Sequence, residues 1–407
     1  MSFNPNAIYN RILEASKVLS GVVHWTPLNY SYTFSKLTGG KIYLKLENLQ
    51  KIGAFKVRGA YFKIRNEVLK GCHEVIAASS GNHAQGVAYS SQQLGIKATI
   101  LMPRYTPLYK VLATKSYGAN VILYGDTYDD AYNRALEISK ERNIPFIHPF
   151  EDPDVIAGQG TIGVEIYHDL KDVDRVIVPV GGGGLISGIA IALKTLKPNI
   201  KIYGIQPKGA SAMYKSFKTG KLVYVDNIST IADGVAVKRP GEETFKIISE
   251  FVDDMVLVSD GEIARAIFLL LERTKLVVEP AGALGVAAIL SGKIDVSKGN
   301  TVVVLSGGNI DMMLLSEIIK RGLMLEGRHI KIKGLLPDKP GQLKKVIDVI
   351  AGLNLNIVSI EHERGNPLIN PGYAEVIIEF ETPDLDTANQ VIKKLRMIGF
   401  EFSIVSE

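Results

Sequence analysis

The stretch RVIVPVGGGGLISG, Arg175 to Gly188, decides the fold because an apolar run is followed by four glycines and then by a helical pattern. Similar apolar runs precede helical patterns elsewhere in the chain. They are VIAAS (75–79), ATILMP (98–103), NVILYG (120–125), KIYGIQ (201–206), DMVLVS (254–259) and TVVVLS (301–306). This alternation predicts an α/β fold with a parallel sheet covered by helices on both faces.

Small and polar residues follow three of these runs. They are SSGNH (79–83), GGGGL (181–185) and SGGN (306–309). Parallel sheets bind ligands outside the carboxyl ends of their strands, so these segments are candidates for a binding site. The last of them is the weakest signal when taken alone.

The glycine run is typical of a phosphate-binding loop. Backbone N–H groups at a glycine-rich helix start converge on an anion. The run does not fit G-x-G-x-x-G or the P-loop pattern, which argues against a dinucleotide or a P-loop nucleotide. A tight strand-to-helix turn without a ligand is the alternative.

The loop SSGNH offers two hydroxyls, an amide and backbone donors, which suit a carboxylate or a phenolic oxygen. The same residues suit an N-cap for the helix expected from Ala84. Alone, His83 is more typical of a structural histidine than of a catalytic one.

A single lysine lies between apolar neighbours in GAFKVRGA, Gly53 to Ala60. Lys56 either lies along an apolar surface or is held in a pocket for its amine. A partly desolvated lysine has a lowered pKa and can form an imine with an aldehyde. Together with a phosphate loop, a polar loop and a strand-end serine, this lysine indicates pyridoxal phosphate as the ligand.

Composition excludes several other classes. Of 407 residues, 46% are hydrophobic and 22% charged, with a net charge of +5 that is not gathered in a basic tail. Nucleic-acid binding is therefore not indicated. The single cysteine, Cys72, cannot pair within the chain, which predicts a cytoplasmic protein. We expect neither a signal peptide nor a membrane span.

From His329 onward the pattern changes to the order βαββαβ, the plan of a ferredoxin-like domain. This segment has no catalytic constellation. Sensing a ligand and stabilising an oligomer are both open roles for it.

The sequence closely resembles the pyridoxal-phosphate enzymes of fold type II and, within them, the threonine dehydratases (threonine ammonia-lyases). The matching motifs extend over about the first 320 residues. They are KLENLQKIGAFKVRGA (45–60), SSGNHAQG (79–86), GGGGLISG (181–188), EPAGA (279–283) and SGGN (306–309). The resemblance implies two parallel-sheet α/β subdomains of the tryptophan synthase beta-like type.

The resemblance also implies the domain boundaries and the site residues. A catalytic domain would span 1–325, with a large subdomain at about 1–48 and 149–325 and a small one at about 49–148. Lys56 would be the Schiff-base lysine, and Ser80 is one candidate, beside the cofactor phosphate, for protonating the leaving hydroxyl. The other cofactor contacts would be Phe55 beside the ring, Asn82 on the ring hydroxyl, Gly181, Gly182, Gly183, Gly184 and Leu185 on the phosphate, and Ser306 on the pyridine nitrogen. The substrate carboxylate would be bound by Ser79, Ser80, Asn82 and His83.

The implied reaction is β-elimination, which yields 2-oxobutanoate from threonine and pyruvate from serine. Residues 326–407 resemble an ACT domain, an amino-acid-sensing module, with Gly341 and Asn354 as candidate effector residues. Isoleucine, valine or no effector is compatible with this likeness, and a homotetramer or homodimer is expected from the family.

One segment departs from the relatives that bind a divalent cation, serine racemase among them. QPKGASA, 206–212, has no acidic ligand, so we expect a monovalent cation or none rather than a divalent metal, and the same change argues against a racemase role. A β-replacement enzyme of the same fold and a non-enzymatic amino-acid sensor are the alternative functions. The dehydratase-like motifs argue against the former, and the intact set of Lys56, Asn82 and Ser306 against the latter.

Overall fold

Strands and helices alternate through most of residues 4–405, the part of the chain that this computed structural model describes. The strands are β1 (Leu28–Tyr30), β2 (Lys41–Lys45), β3 (Glu74–Ala78), β4 (Lys97–Met102), β5 (Asn120–Leu123), β6 (Val173–Pro179), β7 (Lys201–Pro207), β8 (Asp254–Val258), β9 (Asn300–Val304), β10 (His329–Pro337), β11 (Ile357–Glu363), β12 (Tyr373–Glu381) and β13 (Phe402–Ile404). The helices are α1 (Pro5–Leu19), α2 (Tyr32–Thr38), α3 (Lys56–Leu69), α4 (Asn82–Gln93), α5 (Leu108–Lys115), α6 (Tyr128–Arg142), α7 (Pro153–Asp169), α8 (Gly184–Leu196), α9 (Ala212–Thr219), α10 (Glu242–Phe251), α11 (Asp260–Leu269), α12 (Pro280–Leu290), α13 (Met312–Leu325), α14 (Gln342–Ala351) and α15 (Leu385–Met397). Two compact units result, one ending at Asp311 and the other beginning at Met312.

The first unit contains two sheets. The larger has six strands in the order β1-β2-β9-β6-β7-β8, all parallel except β1, which pairs antiparallel with β2. The smaller is parallel, in the order β3-β4-β5. All seven strands predicted from apolar runs are present, which confirms the predicted α/β architecture with two parallel-sheet subdomains.

Strands β1 and β2 were missed by the sequence analysis. Lys41 and Lys45 make β2 look solvent-exposed, yet Lys45 is fully buried. Its Nζ donates to Glu165 Oε2 at 2.6 Å and to the Thr26 carbonyl at 2.7 Å. A long-range ion pair therefore permits a charged residue in a buried strand, and no local pattern reports such a contact.

The second unit contains the predicted βαββαβ order, from β10 through α14, β11, β12 and α15 to β13. Its sheet has the order β11-β12-β10-β13, and every pair is antiparallel. Buried apolar residues of α14 and α15 pack with those of β10 and β12 in one core. The ferredoxin-like plan is thus confirmed.

Helix α13 belongs to the second unit and packs against β10. The sequence-based boundary between residues 325 and 326 lies after this helix, whereas the compact units divide before it. Within residues 4–405, no helix is both long and apolar enough to cross a bilayer.

Candidate active site

Backbone hydrogen bonds join the loops that follow β2 and β9 in the large sheet. Asn48 N donates to the Leu305 carbonyl at 3.0 Å, and Phe55 N donates to the Ser306 carbonyl at 3.1 Å. Gly308 N donates to the Gly53 carbonyl at 2.8 Å. Since β2 and β9 are parallel neighbours, their carboxyl ends meet, which brings Phe55 and Lys56 next to the buried Ser306.

Lys56 is the first residue of α3 and is half-buried. Its Nζ donates to the Pro149 carbonyl at 2.7 Å and lies 5.2 Å from the centre of the Phe55 ring. Desolvation lowers the pKa of Lys56 to about 8, although the nearby Glu279 carboxylate opposes the shift. The amine is therefore much closer to neutrality at physiological pH than an ordinary lysine.

The segment that contains Pro149 also contacts the glycine loop. A Cβ on Gly182 would clash with the Phe150 ring, and one on Gly184 would lie 2.9 Å from Phe150 Cα. Gly183 has a φ of 99°, a conformation that favours glycine. Helix α8 starts at Gly184, so its first N–H groups have no acceptor within the helix. Leu185 follows in the same turn and is buried.

The loop after β3 leads into α4, whose N-cap is Gly81. Ser79 Oγ accepts from Gly81 N at 3.2 Å, and neither serine side chain caps the helix, so this loop provides the N-cap residue without a side-chain capping bond. Asn82 opens α4, with its Nδ2 donating to Glu279 Oε1 at 2.8 Å. The polar loop after β3 thus meets the start of α12 at Asn82.

Two uncharged histidines lie near Lys56. His83 Nε2 donates to the Ile147 carbonyl at 2.8 Å, and burial together with Lys56 lowers its pKa to about 3. His148 Nδ1 accepts from Glu151 N at 2.8 Å, and the same two causes lower its pKa to about 4. Both rings are neutral at physiological pH, so neither imidazole adds positive charge beside the Lys56 amine.

Comparison with known proteins identifies the family. A sequence profile described as "Pyridoxal-phosphate dependent enzyme" matches residues 19–307. The chain belongs to this family. An L-threonine ammonia-lyase of Thermotoga maritima is 48% identical over 398 residues, which cover 97% of this chain and 98% of that protein.

Solved structures agree with this assignment. The processed form of threonine deaminase isoform 2 from Solanum lycopersicum matches with a TM-score of 0.73 and 39% identity, covering 78% of this chain and 88% of that chain. Maize serine racemase matches with a TM-score of 0.73 and 34% identity, covering 78% of this chain and 98% of that chain.

The site of this pyridoxal-phosphate-dependent enzyme offers hydrogen-bond donors and an amine for its cofactor. The close contacts at Gly182 and Gly184 show a loop in which side chains are excluded and the backbone is left for a ligand. The unpaired start of α8 suits a phosphate, and the half-buried Lys56 amine suits an aldehyde. The residues present therefore fit pyridoxal phosphate.

Several polar groups of the site were not predicted from the sequence. Glu279 lies in the EPAGA motif but had no assigned role, and the Pro149 carbonyl, His148 and Asn309 were not singled out for one. Glu279 in EPAGA and Asn309 in SGGN lie in motifs that the sequence analysis named, so both had a local signal. The others are recognisable only from the loops that the fold brings together.

The candidate effector residues are in the second unit. Gly341 is the N-cap of α14 with a φ of 87°, and Asn354 follows that helix with a φ of 57°. Among residues 4–405, no group of three or more His, Cys, Asp or Glu side chains is placed to hold a metal ion.

The lowered pKa of Lys56 predicts its reactivity in protein freed of cofactor. We expect acetic anhydride to acetylate Lys56 about tenfold faster at pH 8 than an ordinary lysine, whose pKa is about 10.4, because a roughly hundredfold larger neutral fraction outweighs the weaker nucleophilicity of a less basic amine. The rate should rise with a midpoint near pH 8 because the neutral amine is the nucleophile. Peptide mass spectrometry across a pH series measures it, with exposed Lys70 at the other end of α3 as the reference. Equal pH profiles for Lys56 and Lys70 would contradict the prediction.

Proposed function

We propose that this enzyme is a threonine ammonia-lyase, which converts L-threonine to 2-oxobutanoate and ammonia and also L-serine to pyruvate and ammonia. The observation that carries the proposal is the Lys56 amine, held by the Pro149 carbonyl with a pKa of about 8 beside the polar strand ends. The likeness to the Thermotoga maritima enzyme over nearly the whole chain supports the same substrate.

When bound, pyridoxal phosphate supplies an aldehyde that links reversibly to amines and a conjugated ring that withdraws electrons from the attached carbon. We assign to Lys56 two tasks, covalent attachment of the cofactor and removal of the proton from the substrate Cα. An amine with a pKa near 8 is suited to the second task because a sizeable fraction is neutral at neutral pH. Loss of the Cα proton and the β-hydroxyl releases water, and hydrolysis of the resulting enamine consumes water and yields the 2-oxo acid and ammonia.

The remaining roles follow the motifs. Backbone groups of Gly181 to Leu185 bind the phosphate, with Thr244 Oγ1 fixing the loop by donating to the Gly182 carbonyl at 2.6 Å. Phe55 would pack beside the ring, Asn82 would hydrogen-bond the ring hydroxyl and Ser306 would contact the pyridine nitrogen. The serine pair Ser79 and Ser80, with Asn82 and His83, forms the substrate carboxylate loop. Ser80 is a candidate, beside the cofactor phosphate, for protonating the leaving hydroxyl.

Ser306 also bears on the reaction type. A hydroxyl donates to an unprotonated pyridine nitrogen, whereas a carboxylate would hold that nitrogen protonated. Ser306 would therefore leave the ring a weaker electron acceptor, which would favour elimination over transamination. A β-replacement enzyme is less well supported because the named relatives are ammonia-lyases. A non-enzymatic sensor is less well supported because Lys56, Asn82 and Ser306 are all present.

For the second unit we propose amino-acid regulation, with Gly341 and Asn354 near the effector and isoleucine or valine as the effector class. Assembly as a homotetramer or homodimer belongs to the same proposal. Threonine dehydratases named catabolic and biosynthetic both match the chain, so threonine catabolism and isoleucine biosynthesis are both candidate roles. A cytoplasmic location stays a prediction from the single cysteine.

Release of 2-oxo acid from threonine and from serine by the purified, cofactor-loaded protein tests the function. We expect 2-oxobutanoate from threonine and pyruvate from serine, each with an equal amount of ammonia. Protein that binds the cofactor but forms neither product would contradict the proposal. Formation of D-serine without pyruvate would instead indicate a racemase.

A further inference from the structure

Asn82 lies in the middle of a chain of side-chain hydrogen bonds that joins four segments of the site. Its Oδ1 accepts from Asn309 Nδ2 at 2.8 Å, and its Nδ2 donates to Glu279 Oε1 at 2.8 Å. At the far end, Asn309 Nδ2 also donates to the Ile52 carbonyl at 2.9 Å. The chain thus runs from a backbone carbonyl through two amides to a carboxyl group.

The two ends of this chain fix its polarity. The Ile52 carbonyl only accepts, so Asn309 turns its nitrogen towards it, and both hydrogens of that nitrogen are used, on Ile52 and on Asn82. The carboxylate of Glu279 also only accepts when it is ionised, so Asn82 turns its nitrogen towards Glu279. One N–H of Asn82 remains available for a ligand.

Glu279 is a buried carboxyl group that stabilises no helix end. It is the N-cap of α12 but makes no side-chain capping bond, and only 6% of the residue is exposed. Its backbone N donates to the Gly307 carbonyl at 3.0 Å, and a Cβ on Gly307 would clash with Glu279 Oε1. The adjacent backbone therefore leaves just enough space for the carboxyl group beside Asn82.

The charges around Glu279 come from several elements. Burial and the Asp233 carboxylate raise the pKa of Glu279 to about 7, against the opposing effects of the Asn82 hydrogen bond, Lys110 and Lys56. Such an unfavourable position for a carboxylate is tolerated in proteins where the group has a specific partner. Here that partner is the Asn82 amide.

We propose that Glu279 and Asn309 are positioning residues, which hold the Asn82 amide so that its remaining N–H is offered to an electron-rich oxygen of the bound cofactor. The inference rests on the proposed function for the cofactor role of Asn82. It deepens that function by naming the two residues that act through Asn82 rather than on the cofactor directly.

A double-mutant cycle on cofactor affinity tests the proposal. Pyridoxal phosphate is titrated into cofactor-free wild type, Glu279→Gln, Asn82→Ala and the double variant, with the visible absorbance as the signal. The introduced glutamine can turn either its oxygen or its nitrogen to Asn82, so we expect the dissociation constant to rise about tenfold, together with a changed visible spectrum. In the Asn82→Ala background the same substitution should change the constant by less than about twofold.

Equal effects of Glu279→Gln in both backgrounds, or wild-type affinity and spectrum, would overturn the proposal. Asn309→Ala is tested in the same double-mutant cycle with Asn82→Ala, and its result tests the proposal if Glu279→Gln does not fold. Glu250→Gln, at an exposed carboxylate in the last turn of α10, is the matched control and should leave affinity and spectrum unchanged. Because no threonine is turned over, failure of this inference is distinguishable from failure of the proposed reaction.

Discussion

Lys56→Ala is expected to lower the rate of 2-oxo acid formation from threonine about a thousandfold or more, because it removes both the covalent anchor of the cofactor and the base at Cα. The variant should also lack the visible absorbance of a covalently attached cofactor. Turnover assays and absorbance spectra of the same preparations measure both effects. A variant that keeps a tenth of the wild-type rate would contradict the assignment of Lys56.

The stability of this variant separates lost chemistry from misfolding. The native state lowers the pKa of Lys56 from 10.5 to about 8, so the amine resists protonation in the folded protein. The contribution of Lys56 to the free energy of unfolding is therefore fully present above pH 10.5 and is lost as the pH falls through about 8. At pH 7 the cofactor-free variant should therefore unfold at no lower a urea concentration than the wild type. Lys70→Ala, at the exposed end of the same helix, is the control and should keep full activity.

Local sequence patterns predicted the structural features that depend on residues close together in the chain. Apolar runs gave seven parallel strands, and the glycines before α8 gave the turn that would hold a phosphate. Alternation in the last eighty residues gave the βαββαβ order. In each case the signal lies within one segment, because strand periodicity and glycine conformation depend on neighbouring residues.

Contacts between distant segments account for what was missed. Arg58 and Glu165 are 107 residues apart, and their pairing is invisible before the fold is known. The same holds for the bond from Asn309 to Asn82, which are 227 residues apart. Charged residues such as Lys45, Glu47 and Arg58 look solvent-exposed in sequence, and only the structure shows that they neutralise one another in the interior.

Arg58→Met is expected to lower the free energy of unfolding by about 3 to 5 kcal/mol, the usual effect of removing one partner from a buried ion pair. Arg58 Nη2 donates to Glu47 Oε1 at 2.7 Å, and its Nη1 donates to Glu165 Oε1 at 2.5 Å. Burial alone would lower the pKa of Arg58, but the two carboxylates more than offset this and hold it above its ordinary value. Together with Lys45, these residues form a buried group of two cations and two anions.

Methionine fills much of the volume of arginine, so the loss reports mainly the unpaired charge rather than a cavity. Lys45 would then be the one cation beside two buried carboxylates. The unpaired charge would destabilise the first turn of α3, which contains Arg58 two residues after Lys56. Urea unfolding of cofactor-free protein measures the change, with Arg134→Met as the control because Arg134 pairs with Glu137 and Glu141 on the surface. If both variants unfolded at the wild-type urea concentration, the buried group would contribute nothing to stability; if only Arg58→Met is destabilised, neutralisation inside the protein fixes the helix that presents the reactive lysine.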